Sequence, residues 1–322
     1  MARIAYLGPE GTFSEAALLQ MTAAGLIPAA SATGATEPLG TDSTPAALDA
    51  VRDGSADYAC VPIENSIDGT VLATLDNLAT GTPLQVFAEL TLDVEFSIAV
   101  RPGTTADQVR TVAAFPVAAA QVRRWLADHL STAEITAAIS NAAAAQDVSA
   151  GRADAGVSTA LAARRYDLAT LADGVVDEPN ARTRFVLVGR PAPPPARTGA
   201  DRTSVVLRLE NRPGALVAAM TEFGIRDIDL TLIESRPTRV ELGTYVFFVD
   251  FIGHVDDEAV AEARYEHVGP TSVTLYTVLS NRSGAGAHAG LLINGSERVL
   301  FDPAGTWRHP KLPERNDVHF GI

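Results

Sequence analysis

A chain of 322 residues is long enough for two or three domains, because single hydrophobic cores seldom grow past about 250 to 300 residues. Its composition, 47% hydrophobic and 20% charged, is that of an ordinary globular protein, and no stretch approaches the roughly 20 consecutive apolar residues of a membrane span. A net charge of −14 argues against nucleic acid, whose phosphates call for a basic face, and turns attention to small molecules and to copies of the chain itself.

The chain opens on MARIAYLGPEG, a short strand and a glycine-rich turn rather than a basic start and an apolar signal-peptide core, so a cytoplasmic protein is expected. Up to residue 189, short apolar strands alternate with alanine-rich helices. The strands are RIAYLG (3–8), DYACVPIE (57–64), VEFSIAV (94–100) and TRFVLVG (183–189). The helices are SEAALLQMTAA (14–24), a run over 44–51, PVAAAQVRRWLADHL (116–130), NAAAAQDVSAG (141–151) and STALAARRY (158–166). That alternation predicts an α/β domain, and each helix starts at or beside Ser, Thr, Asn, Asp or Pro. Cys60 is the only cysteine, which excludes an internal disulfide and a multi-cysteine zinc site and leaves it to be read as a small buried hydrophobe.

Proline and small residues make 190–202 a linker. After it come strand TSVVLRL (203–209), helix ALVAAMTEFGI (215–225), strands IDLTLIESR (228–236) and GTYVFFVDFIG (243–253), and the start of a helix, DDEAVAEA (256–263). These are the first five elements of a βαββαβ ferredoxin-like unit. Residues 264–322 differ in character, with four of the six histidines, the only lysine (Lys311) and a hairpin signal at Asn294-Gly295.

Three segments of the α/β part carry polar groups where ligands bind. In GPEGTFSEAAL (8–18) a strand turns into a helix, and the backbone N–H groups with the Thr12 and Ser14 hydroxyls form either an anion cradle or a plain helix cap. VPIENSIDGTV (61–71) places Glu64, Asn65 and Ser66 at a strand end, as a ligand site or as a capped loop. NARTRFVLVG (180–189) places Asn180, Thr183 and Arg184 at the entrance to a buried strand. Arg184 is there either a carboxylate clamp, through its planar fork, or a structural arginine paired with an acidic neighbour. No Ser-His-Asp arrangement, metal-ligand spacing or phosphate-loop lysine accompanies them.

The three blocks in this order, G-P-x-G-T-F-S at 8–14, P-I-E-N-S-x-x-G at 62–69 and N-x-x-T-R-F at 180–185, resemble the prephenate dehydratase family. The region after the linker is similar to an ACT domain, with ligand blocks at Gly214, Ala215, Leu216 and Val217 and at Glu234, Ser235, Arg236 and Pro237. The resemblance implies an α/β catalytic domain (1–189) of two lobes, like type II periplasmic binding proteins, with the substrate in the cleft and crossings near 80–83 and 166–175. An incomplete ferredoxin-like ACT regulatory domain (203–263) and an atypical segment (264–322) follow. It further implies a monofunctional, cofactor-free and metal-free lyase that converts prephenate, or its amino analogue arogenate, on the route to phenylalanine. Phenylalanine is the implied effector, and a homo-oligomer, dimer or tetramer, the implied assembly, with no nucleic acid or membrane as partner.

By the same resemblance Thr183 assists departure of the substrate hydroxyl, with Glu64, Asn65 and Ser66 beside it. Arg184, Asn180, Thr12, Phe13 and Ser14 bind the substrate, and Phe185 packs beneath. Past residue 263 the resemblance ends. Either 272–279 supplies the strand that closes the ACT sheet or the sheet stays open with the tail apart from it, and the short preceding helix and the shift in composition favour the open sheet.

Overall fold

The computed structural model describes residues 1–28 and 35–262, together with strands at 264–265, 274–280, 287–293 and 318–319. The first lobe runs β1 (Ala2–Leu7), α1 (Phe13–Ala23), β2 (Thr36–Thr41), α2 (Thr44–Arg52), β3 (Tyr58–Asn65), β4 (Gly69–Thr70), α3 (Leu72–Leu78) and β5 (Gln85–Asp93). Residues 94–95 carry the chain into the second lobe: β6 (Phe96–Val100), β7 (Thr111–Ala114), α4 (Pro116–Gln121), α5 (Arg123–His129), β8 (Glu134–Ala137), α6 (Asn141–Ser149), β9 (Ala155–Ser158), α7 (Ala160–Arg165) and β10 (Ala169–Val175). It then returns as β11 (Arg182–Gly189), which inserts between β3 and β5, antiparallel to both. The sheets are ordered β2-β1-β3-β11-β5, with β4 on β3, and β10-β6-β9-β7-β8.

Two α/β lobes joined by two crossings are thus present, but the crossings lie at 94–95 and 176–181. Residues 80–83 only join α3 to β5 inside the first lobe, and 166–175 end in β10 of the second. The predicted helix 116–130 is also divided. At Val122 the backbone leaves the helical region (φ −123°, ψ 16°), and Asp177 accepts from the Arg124 and Trp125 amides to cap the second piece.

Successive residues of a strand face opposite sides, and β11 sorts its side chains accordingly. Phe185 and Leu187 join the core under α1, whereas Val186 and Val188 join the core under α2 and α3. The linker leads to a third unit: β12 (Arg202–Arg208), α8 (Ala215–Gly224), β13 (Leu230–Pro237), β14 (Tyr245–Ile252) and α9 (Glu258–Glu262), with the sheet ordered β12-β14-β13. Val205, Leu207, Val249 and Phe251 pack with Phe223 of α8. The other face is buried as well, because Val206, Val246 and Phe248 belong to the same core cluster as α2 and α3. The first lobe is therefore the second cover of this sheet. At its rim the Arg236 guanidinium binds Asp76 of α3 through two hydrogen bonds of 2.7 and 2.9 Å.

The remaining strands are β15 (Arg264–Tyr265), β16 (Thr274–Ser280), β17 (Ala287–Ile293) and β18 (Val318–His319), paired as β15-β18 and β16-β17. Strand β16 runs beside β12 without joining its ladder, so part of the tail lies against the sheet where the sequence favours a segment apart from it. The Asn294-Gly295 turn and Lys311 lie outside the described residues.

The hydrogen bond from Arg236, aided by the charges of Arg236 and Arg239, holds the Asp76 carboxyl below the usual carboxylate range. A carboxyl depressed in the folded state contributes stability above its unfolded value and loses it as pH falls through the folded one. Asp76→Asn is expected to cost about 1–3 kcal/mol near neutral pH. In urea unfolding its difference from the wild type should shrink once pH falls below about 4, and a constant difference would show that the carboxylate charge does not hold this contact.

Candidate active site

The ends of β3 and β11 meet in register, Asn65 opposite Thr183 and Glu64 opposite Arg184. Asn65 Oδ1 accepts from the Ile67 and Asp68 amides at 2.8 and 2.9 Å, which turns its Nδ2 to donate to Thr183 Oγ1 at 2.9 Å. A threonine hydroxyl has one proton to give, and here its oxygen already receives one, so the Thr183 proton is left for another acceptor. Ser66 stitches the two blocks together. Its hydroxyl accepts from the Arg182 amide (2.8 Å) and donates to the Asn180 carbonyl (3.2 Å), and its amide donates to the Arg182 carbonyl (2.8 Å). Asn180 takes a left-handed conformation (φ 75°), the turn that aims the chain from the second lobe into β11. Asn65, Ser66, Asn180 and Thr183 are thereby brought to one place.

The glycine turn does something different. Thr12 caps α1, accepting from the Glu15 amide, and donates to the Leu7 carbonyl at 2.9 Å, so the hydroxyl is spent on the loop itself. The buried Glu15 carboxylate accepts from the Gly11 amide at 2.5 Å and pairs with Arg165 of α7, which also reaches Glu10 at 2.7 Å. Thr159, the cap of α7, donates to the Gly11 carbonyl at 2.5 Å. Of the two readings of this segment, the helix cap is the one the Thr12 geometry supports, and the turn locks the lobes together. Ser14 is buried beside it. Phe13 meets Phe96 of the second lobe edge to face, with centroids 5.6 Å apart, and lines a cavity of about 600 Å³ between α1 and α7. The lobes touch again where Gln121 Nε2 approaches Asp68 Oδ2 at 3.4 Å.

Arg184 lies on the opposite face of β11, its side chain 7% exposed. Its guanidinium contacts Asp250 of β14 in the third unit at 2.5 Å, Glu64 at 3.2 Å and Glu89 of β5 at 3.4 Å, and Glu89 is also 3.7 Å from Arg202. Burial works against its charge, but the attraction of Asp250, Glu89 and Glu64 outweighs that cost and raises its pKa above the ordinary arginine value. The reading of Arg184 as a substrate-carboxylate clamp is accordingly replaced by the paired arginine, because a strand cannot turn two consecutive side chains to one face. Glu64 stands at ion-pair distance from its Nε, which makes no hydrogen bond. Phe185 returns to the Thr183 face and is buried in the core with Phe13.

In the third unit, Gly214 (φ 83°) caps α8, Ala215 is buried, Leu216 is half-buried and Val217 is 69% exposed. Glu234, Ser235, Arg236 and Pro237 lie on β13, where Ser235 and Pro237 are exposed, Glu234 is half-buried and Arg236 is held by Asp76. Asp250, Glu89, Glu15 and Arg165 escaped the sequence reading. Asp250 had a signal, a lone charge inside YVFFVDFI, and so did Glu15, three residues after a cap threonine in the spacing of a capping box. Among the described residues no group of three or more His, Cys, Asp or Glu is arranged to hold a metal ion, and Cys60 is buried with its thiol pKa pushed up by desolvation.

A family profile described as prephenate dehydratase matches residues 4–193, and one described as ACT domain matches 203–266. A curated relative from Mycobacterium sp. (strain JLS), named prephenate dehydratase, is 74% identical over 264 residues, covering 82% of this chain and 84% of that protein. The crystal structure of prephenate dehydratase in complex with L-Phe from Arthrobacter aurescens is 40% identical with a TM-score of 0.72, covering 80% of this chain and 83% of that one. The structure of GqqA, described as a novel type of quorum quenching acylase, is 28% identical with a TM-score of 0.68, covering 80% of this chain and 90% of that one.

Gly11 is doubly constrained, since its φ is +87° and a Cβ there would stand 2.7 Å from the Ala162 Cβ across the lobe junction. Gly69, at φ +81°, has open space around it. Gly11→Ala should cost about 2–4 kcal/mol in chemical denaturation, from backbone strain plus overpacking, whereas Gly69→Ala should cost only about 1–2 kcal/mol. Equal losses would mean that the junction yields freely.

Proposed function

The chain belongs to the prephenate dehydratase family, and we propose that it acts on prephenate to form phenylpyruvate on the route to phenylalanine, with phenylalanine answering back through the ACT domain. The observation that carries the reading is the Asn65–Thr183 hydrogen bond between two family blocks 118 residues apart. Prephenate dianion and one proton give phenylpyruvate, carbon dioxide and water. The ring–carboxylate bond breaks, its electron pair completes the aromatic ring as the C4–O bond breaks, and the oxygen leaves as water once protonated. Aromatisation drives the step, so the protein has to hold the geometry and meet the charge that develops on the leaving oxygen.

Thr183 suits that task. Its hydroxyl is too weak an acid to ionise, but with Asn65 donating to its oxygen, its proton is directed outward to the leaving group. Asn180, Ser66 and the backbone around them frame the substrate, and Phe13 with Phe185 forms the apolar floor. Glu64 acts through Arg184 by holding the end of β3 in place. Arogenate shares the ring, the hydroxyl and both carboxylates, and parallel assays of the two substrates separate them.

The L-Phe complex of the 40% identical relative supports phenylalanine as the effector, with the ligand between residues 214–217 of one subunit and 234–237 of another. Exposed Val217 on α8 and exposed Ile233 on β13, an edge strand among the described residues, offer a second copy both apolar area and unpaired backbone. A cytoplasmic homo-oligomer, at least a dimer, follows from this reading.

Thr183→Ala should lower kcat by about 10² to 10⁴ with KM within several-fold, because the hydroxyl matters chiefly in the transition state. A variant that keeps more than about a tenth of the wild-type kcat removes Thr183 from the chemistry. Isothermal titration of the intact chain with phenylalanine should show saturable binding, and light scattering a mass of two subunits or more. A folded, active sample that gives no heat with phenylalanine removes the regulatory reading.

A further inference from the structure

We propose that Asp250, in the ACT domain, is a positioning residue for the reaction, acting through Arg184 on the Thr183–Asn65 pair. The proposal rests on the dehydratase reading of the site and extends it to a residue outside the catalytic domain.

The argument begins with the strand register. Thr183 and Arg184 are consecutive on β11 and face opposite sides, and their partners across the ladder, Asn65 and Glu64, are consecutive on β3. The hydrogen bond at the cleft and the ion pair on the reverse face are thus two clamps on the same pair of strand ends. Between Arg184 and Phe185 the β3–β11 pairing shifts register with Ile63 as the extra residue of β3, so the end of β3 that carries Asn65 is set off from its ladder and depends on such local contacts, whereas β11 stays in regular register with β5 through Thr183.

Arg184 cannot serve this role on its own. Its side chain is 7% exposed, and of its three anionic partners Glu64 is 38% exposed at the strand end, whereas Asp250 (5%) and Glu89 (8%) are buried. Asp250 makes the shortest contact, 2.5 Å, and in that dry setting it is the partner that decides where the guanidinium sits. Asp250 is itself placed by packing. It shares a face of β14 with Val246 and Phe248, which are buried in the core of the catalytic lobe. Without that carboxylate the guanidinium must lean on Glu64 and Glu89 alone, which draws on the end of β3 beside Asn65. A shift of the order of 1 Å in an oriented catalytic group is enough to cost on the order of 10²-fold in rate.

The test compares kcat and KM for prephenate, with melting temperatures, in the full-length chain. Asp250→Asn should lower kcat on the order of 10²-fold with KM within about threefold. Asp250→Glu, which keeps the charge but displaces it by one methylene, should retain the wild-type melting temperature and lose about tenfold in kcat, a partial rescue that serves also if the Asn variant does not fold. Asp76→Asn loosens the same domain contact away from β11 and should keep kcat within about twofold. Wild-type kcat in Asp250→Glu overturns the proposal, and so do equal losses in Asp250→Asn and Asp76→Asn, which would reflect domain docking and not the placement of Arg184. A wild-type chain that forms no phenylpyruvate defeats the functional reading and this proposal together. A wild-type chain that turns over normally while the Asp250 variants match it defeats this proposal alone.

Discussion

A guanidinium taken out of water must be met by anions, and much of this structure is arranged around that requirement at Arg184. Desolvating a charge of this kind costs several kcal/mol even after the surroundings relax, and only well-placed partners offset it. The partners come from three strands, Glu64 on β3, Glu89 on β5 and Asp250 on β14, with Arg202 of β12 balancing Glu89 from the far side. Apolar contact between Val206, Val246, Phe248 and the cores of α2 and α3 supplies the attraction that joins the two domains. It is indifferent to small slides. The ion cluster is not, and so it determines the register in which the domains meet.

Strand β11 divides the labour of the protein between its faces. On one side Thr183 shares a face with Phe185, and the Asn65 amide already donates to its oxygen, which leaves the threonine proton for another acceptor. On the other side Arg184 continues the contact to the ACT sheet. The glycine turn contributes rigidity: Thr12, Glu15 and the Gly11 backbone are used up in fastening α1 to the second lobe, and the two lobes meet there with no room for a methyl group.

Much of this was legible in the amino-acid sequence. The strands that carry the site are strongly apolar and end in polar blocks, and the pairing of Asn65 with Thr183 lies within two of those blocks. Strands β7 (TVAA), β8 (EITA) and β9 (AGVS) were not legible. They are four residues long and built largely of alanine and other small residues, a composition as suited to helix as to strand, and parallel neighbours in the second lobe decide the matter. The reading of Arg184 as a carboxylate clamp beside Thr183 gave way to a paired arginine for a simpler reason. Alternation along a strand sends Arg184 to the other face, and the lone Asp250 in an apolar strand was the mark of the partner waiting there.

The insertion of β11 between β3 and β5 also sets the order in which the molecule is made. A ribosome that has released the first lobe and all of the second has produced a sheet with a missing central strand, because β3 and β5 are not neighbours until β11 lies between them. Contacts of such long sequence separation form late and leave unpaired strand edges exposed in the meantime. The nascent chain therefore carries Asn65 for more than a hundred residues before Thr183 arrives to meet it, and the proposed site cannot form until β11 has been translated.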